Sequence, residues 1–172
     1  GAKLDWATAI AVRPDGTAAV VGYTDSTDFP KIGNSQQGSA VGARDAFVAI
    51  FDVFQTLAYT TYLGGVRTDY ARAAAFAPDG SLFVVGSTVS TDFPVAGAAF
   101  HNEYYGGGDA FLSKFDPSGL LVYSTFLGDG GLEEGTAVAA ISADRVVVAG
   151  VTLSNAYPTV GALASPRRGD TD

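Results

Sequence analysis

The chain has 172 residues, 47% of them hydrophobic, and carries a formal charge of −8 with a sequence pI near 4.4. Its Lys and Arg residues are scattered, which disfavours nucleic acid as a partner because phosphate binding needs a basic face. There is no Cys, hence no disulfide, thiolate metal site or thiol nucleophile, and the apolar runs are too short for a membrane span.

Read in chain order, Ala7–Val12 has strand composition and is followed by the turn Pro14-Asp15-Gly16, in which Pro fixes φ and Gly supplies a positive one. Ala18–Thr24 is a second strand, and residues 25–44 form a long loop rich in Gly, Ser and Asn. Ala46–Phe51 and Leu57–Leu63 are a third and fourth strand, joined at Asp52-Val53-Phe54-Gln55 and ended by Gly64-Gly65. The plan then repeats with turns at Pro78-Asp79-Gly80 and Asp116-Pro117-Ser118-Gly119.

Thr24-Asp25-Ser26-Thr27-Asp28-Phe29-Pro30 returns as Thr88-Val89-Ser90-Thr91-Asp92-Phe93-Pro94 and, weakened, as Thr152-Leu153-Ser154-Asn155-Ala156-Tyr157-Pro158. Asp45-Ala46-Phe47 returns as Asp109-Ala110-Phe111, and Leu63-Gly64 as Leu127-Gly128, always at an interval of about 64 residues. Each unit predicts a four-stranded antiparallel meander, and alternate Ala residues on the first strand (Ala7, Ala9, Ala11; Ala71, Ala73, Ala75) suit a crowded innermost strand. The expected fold is all-β: an incomplete ring of about 2.5 β-propeller blades, with blade 1 at residues 5–68, blade 2 at 69–132 and the first half of blade 3 at 133–172. With Asp172 at the point where a third Asp-Ala-Phe is due, the segment is expected to belong to a larger array. In the third unit Ser142-Ala143-Asp144 replaces Pro-Asp-Gly, and Asp144 is expected to tolerate a left-handed turn.

These motifs, in this order and spacing over the whole chain, resemble the bacterial SBBP family of seven-bladed β-propeller repeats. The resemblance implies a secreted or cell-surface bacterial protein, extracellular in location and often modular. It implies no defined chemistry.

Asp25, Asp28 and Asp92 are hard oxygen donors on turns, so Ca²⁺ is the one metal the sequence suggests, against a simpler reading in which they shape the turn before Phe-Pro. No other cofactor is expected. Asp45 and Asp109 read as caps for backbone donors where the third strand starts. The stretch His101-Asn102-Glu103-Tyr104-Tyr105 has no counterpart in the first unit, and His101, Asn102, Tyr104 and Tyr105 are the candidate ligand contacts. Arg168-Gly169-Asp170 resembles an adhesive tripeptide but falls in a polar, Gly-rich loop. The leading expectation is a non-enzymatic binding or scaffold module that presents its long loops to a glycan or surface protein, or packs against further blades of its own chain or other copies. The alternatives are a propeller hydrolase or lyase with a channel metal, and a structural part of a surface filament or sheath.

Overall fold

The computed structural model describes residues 1–155, which form ten strands and no helix. Strands β1 (Asp5–Val12), β2 (Ala18–Thr24), β3 (Asp45–Phe51) and β4 (Leu57–Leu63) make one antiparallel sheet in the order β1-β2-β3-β4. Strands β5 (Asp69–Phe76), β6 (Leu82–Thr88), β7 (Asp109–Phe115) and β8 (Leu121–Leu127) make a second sheet of identical order, and β9 (Glu133–Ser142) pairs with β10 (Arg145–Thr152). The three sheets are successive blades of an incomplete propeller-like arrangement, with β1 packed on β5 and β5 on β9, and no ring closes among the described residues.

Burial follows from blades covering one another. In β6, Leu82 and Val84 join a core with Ala19, Val21, Ala46, Val48 and Leu63 of the first blade, whereas Phe83 and Val85 join one with Val138, Ala140, Val146 and Val148 of the third. Successive side chains of a strand point to opposite faces, so a strand covered on both faces is apolar throughout. β2, covered on one face, alternates instead: Ala19 and Val21 are fully buried while Ala18 and Val20 are only half-buried. On the outer face of blade 1, Ile10 and Val12 stand 64% and 62% exposed at the positions where the second blade has Ala74 and Phe76 packed against the shared core.

Each innermost strand carries a bulge near its start. Ala7 pairs with Gly22 and Ala9 with Val21, which leaves Thr8 extra; Ala71 pairs with Gly86 and Ala73 with Val85, which leaves Arg72 extra. The third blade repeats the irregularity between Ala149 and Gly150. A bulge bends the strand toward its partner, and a Cβ on Gly22 or Gly86 would lie 2.0 Å from the Trp6 carbonyl oxygen or 1.8 Å from that of Tyr70. Gly recurs in mid-strand because the bent backbone leaves no space for a side chain.

Two expectations need correction. The first strand starts at Asp5 rather than Ala7, because Asp5 pairs with Thr24 and Trp6 with Tyr23. In the third blade, Asp144 has no positive φ; β9 runs on to Ser142, which pairs with Arg145, and the Asp144 carboxylate meets Lys114 Nζ at 3.4 Å. The left-handed non-Gly residue among those described is Gln55, in the first blade's outer turn, where Asp52 accepts from the Phe54 and Thr56 amides. Ala156 and Arg168-Gly169-Asp170 lie outside the described residues.

Gly86→Ala should destabilise the chain by about 3 kcal/mol through backbone overlap. Gly38→Ala, where a Cβ meets nothing within 4 Å, should change stability by less than about 0.5 kcal/mol. Urea denaturation of the two variants checks the contrast.

Candidate functional site

The repeated polar residues converge on the seams between blades. Asp69, at the start of β5, accepts from the Thr88 hydroxyl on Oδ1, and from the Gly65 amide at 2.9 Å and the Ser90 hydroxyl at 3.0 Å on Oδ2. The Thr88 hydroxyl oxygen in turn accepts from the Ser90 amide at 2.9 Å. The same design holds Asp5 with Thr24 and Ser26, and Glu133 with Thr152 and Ser154.

The Thr-x-Ser-Thr-Asp motif thereby holds the connection between blades. Asp92 Oδ1 accepts from the Val66 amide at 2.9 Å and Ser90 Oγ from the Arg67 amide at 3.0 Å. In the first unit Asp28 Oδ1 accepts from the Ala2 amide at 2.8 Å and Ser26 Oγ from Lys3 at 2.9 Å. Asp25 is paired differently, accepting from Arg44 Nε at 2.7 Å and Nη2 at 3.0 Å, which holds its carboxyl below the usual carboxylate range. The three Asp residues suggested as Ca²⁺ donors thus each engage a protein group, and among the described residues no three His, Cys, Asp or Glu side chains are grouped to hold a metal.

A second carboxylate faces the first across Gly64 and Gly128. Asp45 accepts from the Val41 amide at 2.7 Å and the Gly42 amide at 3.1 Å, and a Cβ on Gly64 would stand 2.8 Å from Asp45 Oδ1 and 2.6 Å from Asp69 Oδ2. At the next seam, a Cβ on Gly128 would stand 2.9 Å from Asp109 Oδ1 and 2.8 Å from Glu133 Oε2. Asp109 Oδ2 accepts from the Tyr105 amide at 3.0 Å, but its buried Oδ1 has no partner. Burial pushes the carboxyls of Asp69 and Asp109 up to about 6, with the charges of Asp45 and of Glu133, respectively, acting in the same direction. Burial raises Asp45 as well.

The long loop of the second blade is where the units differ. His101 occupies the backbone slot of Gln37: its amide donates to Thr125 Oγ1 at 2.8 Å and its carbonyl accepts from Phe126, just as Gln37 bonds Thr61 and Tyr62. Gln37 uses its side chain to accept from the Gly64 amide at 3.1 Å, whereas His101 Nδ1 has no partner. The His101 ring stacks on Phe100 at 4.4 Å and meets the edge of Tyr105 at 5.3 Å. Phe100 is 58% exposed and Tyr105 49%. Asn102 is exposed next to them, and Tyr104 turns inward to pack on Phe126, with ring centroids 6.1 Å apart. Of the four expected contacts, His101, Asn102 and Tyr105 lie on the accessible side, and Tyr104 is partly buried against the blade core. Phe100, absent from the sequence expectation, completes the aromatic patch.

A cavity of about 520 Å³ on the short-turn side is lined by Val12, Phe76 and Ala140, one from each innermost strand, with the Arg13–Asp15 ion pair at its edge. Comparison with protein-family models and with curated proteins matched no family and no relative.

Folding raises the pKa of Asp69 and Asp109 from an unfolded value of about 3.9 to about 6. The stability this contributes is complete below about pH 4 and is lost as pH rises through about 6. Asp5 and Asp25, whose carboxyls are lowered, act in the opposite sense but only below about pH 4. The thermal midpoint should therefore fall between about pH 4.5 and 7. Asp109→Asn should flatten that fall and leave stability at pH 7.5 equal or higher, since its Oδ1 loses no donor. Asp69→Ala, which leaves three donors without an acceptor, should cost about 3 kcal/mol. Thermal scans across this pH range on the three chains test the set.

Proposed function

We propose that the chain is a non-enzymatic binding or scaffold module of an extracellular bacterial β-propeller protein of the SBBP type, which offers the aromatic patch of its second long loop to a glycan or protein. The observation that carries this reading is the Phe100–His101–Tyr105 stack, two of whose rings are about half exposed on a loop tied to β8 through Thr125 and Phe126. Exposed rings held on a rigid support bind sugar faces and apolar side chains at little entropic cost. The recurring Asp, Ser, Thr and Gly residues, in contrast, are engaged in holding blades together.

The exposed Ile10 and Val12 on blade 1 favour one further role. They match residues that blade 2 buries against its neighbour, so this face suits contact with another blade, in keeping with a place in a larger assembly.

Phe100→Ala combined with Tyr105→Ala should abolish binding of ligands found in a glycan and surface-protein screen while leaving the thermal midpoint within a few degrees of the parent. Tyr104→Ala should instead lower stability by about 2 kcal/mol, as removal of a packed ring does. Unchanged ligand binding by the double variant contradicts the assignment.

A further inference from the structure

One of the differences between the two seams, at the long-loop end, leaves a hole. At the first seam the Arg44 guanidinium lies 4.9 Å from the Tyr23 ring centroid and 5.5 Å from that of Tyr70, and its Nη1 donates to the Tyr70 hydroxyl at 2.9 Å. Trp6 continues the stack behind Tyr23, with ring centroids 6.4 Å apart and an interplanar angle of 5°. One repeat later, Ser87 stands for Tyr23, Val89 for Asp25, Gly108 for Arg44 and Glu134 for Tyr70. The backbone is unchanged, for Gly108 still accepts from the Glu133 amide as Arg44 accepts from Asp69. The missing side chains leave an open cavity of about 190 Å³ whose lining includes Tyr70, Arg72, Ser87, Val89, Gly108 and Glu134.

The occupant's chemistry follows from what remains. Arg72, the extra residue of the β5 bulge, stacks over Tyr70 at 4.7 Å and places Nε 2.5 Å from Glu134 Oε1. Glu133 also lines the cavity, but its carboxylate is engaged by the Thr152 hydroxyl and the Asp129 amide. Each charge in the wall thus has a protein partner, and a charged guest has to compete for one of them. A neutral ring displaces none of them, fills the place of the lost Tyr23 ring and extends the aromatic–guanidinium stack that already runs from Trp6 through Tyr23, Arg44 and Tyr70 to Arg72.

We infer that the seam between the second and third blades is a binding pocket for a neutral aromatic side chain, tyrosine or phenylalanine, inserted by a partner protein. It is a separate site from the Phe100–Tyr105 patch, so the two stand or fall independently.

The test is an NMR titration of the full chain with N-acetyl-tyrosine amide, using the leucine and arginine amides as controls. The tyrosine probe should shift the amides of Ser87, Val89 and Gly108 and bind at least about fivefold more tightly than the leucine probe, as stacking on a guanidinium predicts. Ser87→Tyr, which fills the cavity from within as Tyr23 does in the first blade, should abolish probe binding and keep or raise the thermal midpoint. If that variant does not fold, Arg72→Ala decides instead, with an expected weakening of about fivefold. Phe100→Ala/Tyr105→Ala should leave probe binding unchanged. No shift with any probe, equal binding of leucine, tighter binding of arginine, or undiminished binding to Ser87→Tyr overturns the inference.

Discussion

A buried acid at the start of the second and third inner strands governs how one blade follows another. Asp69 and Glu133 stand inside the seams with almost no exposure, where an unpaired carboxyl is costly. Their surroundings supply hydroxyls and linker amides in compensation, so the chain can turn the corner between blades only when Thr88 and Ser90, or Thr152 and Ser154, are in place. The spacing of nineteen residues between Asp69 and Thr88 is the length of an inner hairpin. This acid couples hairpin formation to blade placement.

The rest of the arrangement follows from that corner. Once the linker is fixed, Leu82 and Val84 face one neighbour and Phe83 and Val85 the other, so the blades stack as layers with apolar cores between them. Gly64 and Gly128 stay free of side chains because paired carboxylates occupy the space a Cβ requires. Gly22, Gly86 and Gly150 do so because the opposite strand bulges toward them. Where the repeat relaxes, at Phe100 and Tyr105 of the second long loop and at the cavity beside Gly108, the framework places little demand on the side chains. Those places are open to ligand recognition.

Much of the fold was legible in the sequence because it rests on local signals at a fixed stride. The turns Pro-Asp-Gly and Asp-Pro-Ser-Gly and the alternating or continuous apolar runs marked four strands per unit, and these occur where the turns implied. The linker clamp was less legible, since Asp92 binds an amide 26 residues earlier and turn chemistry alone does not show which backbone lies there. The acids at Asp5, Asp69 and Glu133 recur at the same stride as Thr24, Thr88 and Thr152; that joint recurrence was the available signal, softened by the change to Glu. Side-chain direction within an irregular loop has no periodicity to reveal it. Hence Tyr104 and Tyr105 looked alike, although one packs on Phe126 and the other meets solvent, and Phe100 went unnoticed. The cluster of Tyr23, Arg44 and Tyr70 was hidden for a different reason: it forms between blades and does not repeat.

Native-state hydrogen exchange at the linker between the first two blades measures the coupling directly. Val66 has an exposed side chain and lies outside any strand, so a simple surface connection should exchange its amide within the range of open loops. If the acids and hydroxyls of the following blade hold the corner, the amides of Gly65, Val66 and Arg67 should be protected to nearly the level of the β5 and β6 strand amides, and Asp69→Ala should release all three together. Fast exchange at these amides in the parent chain, or their continued protection in Asp69→Ala, would contradict a structure organised around the buried acid.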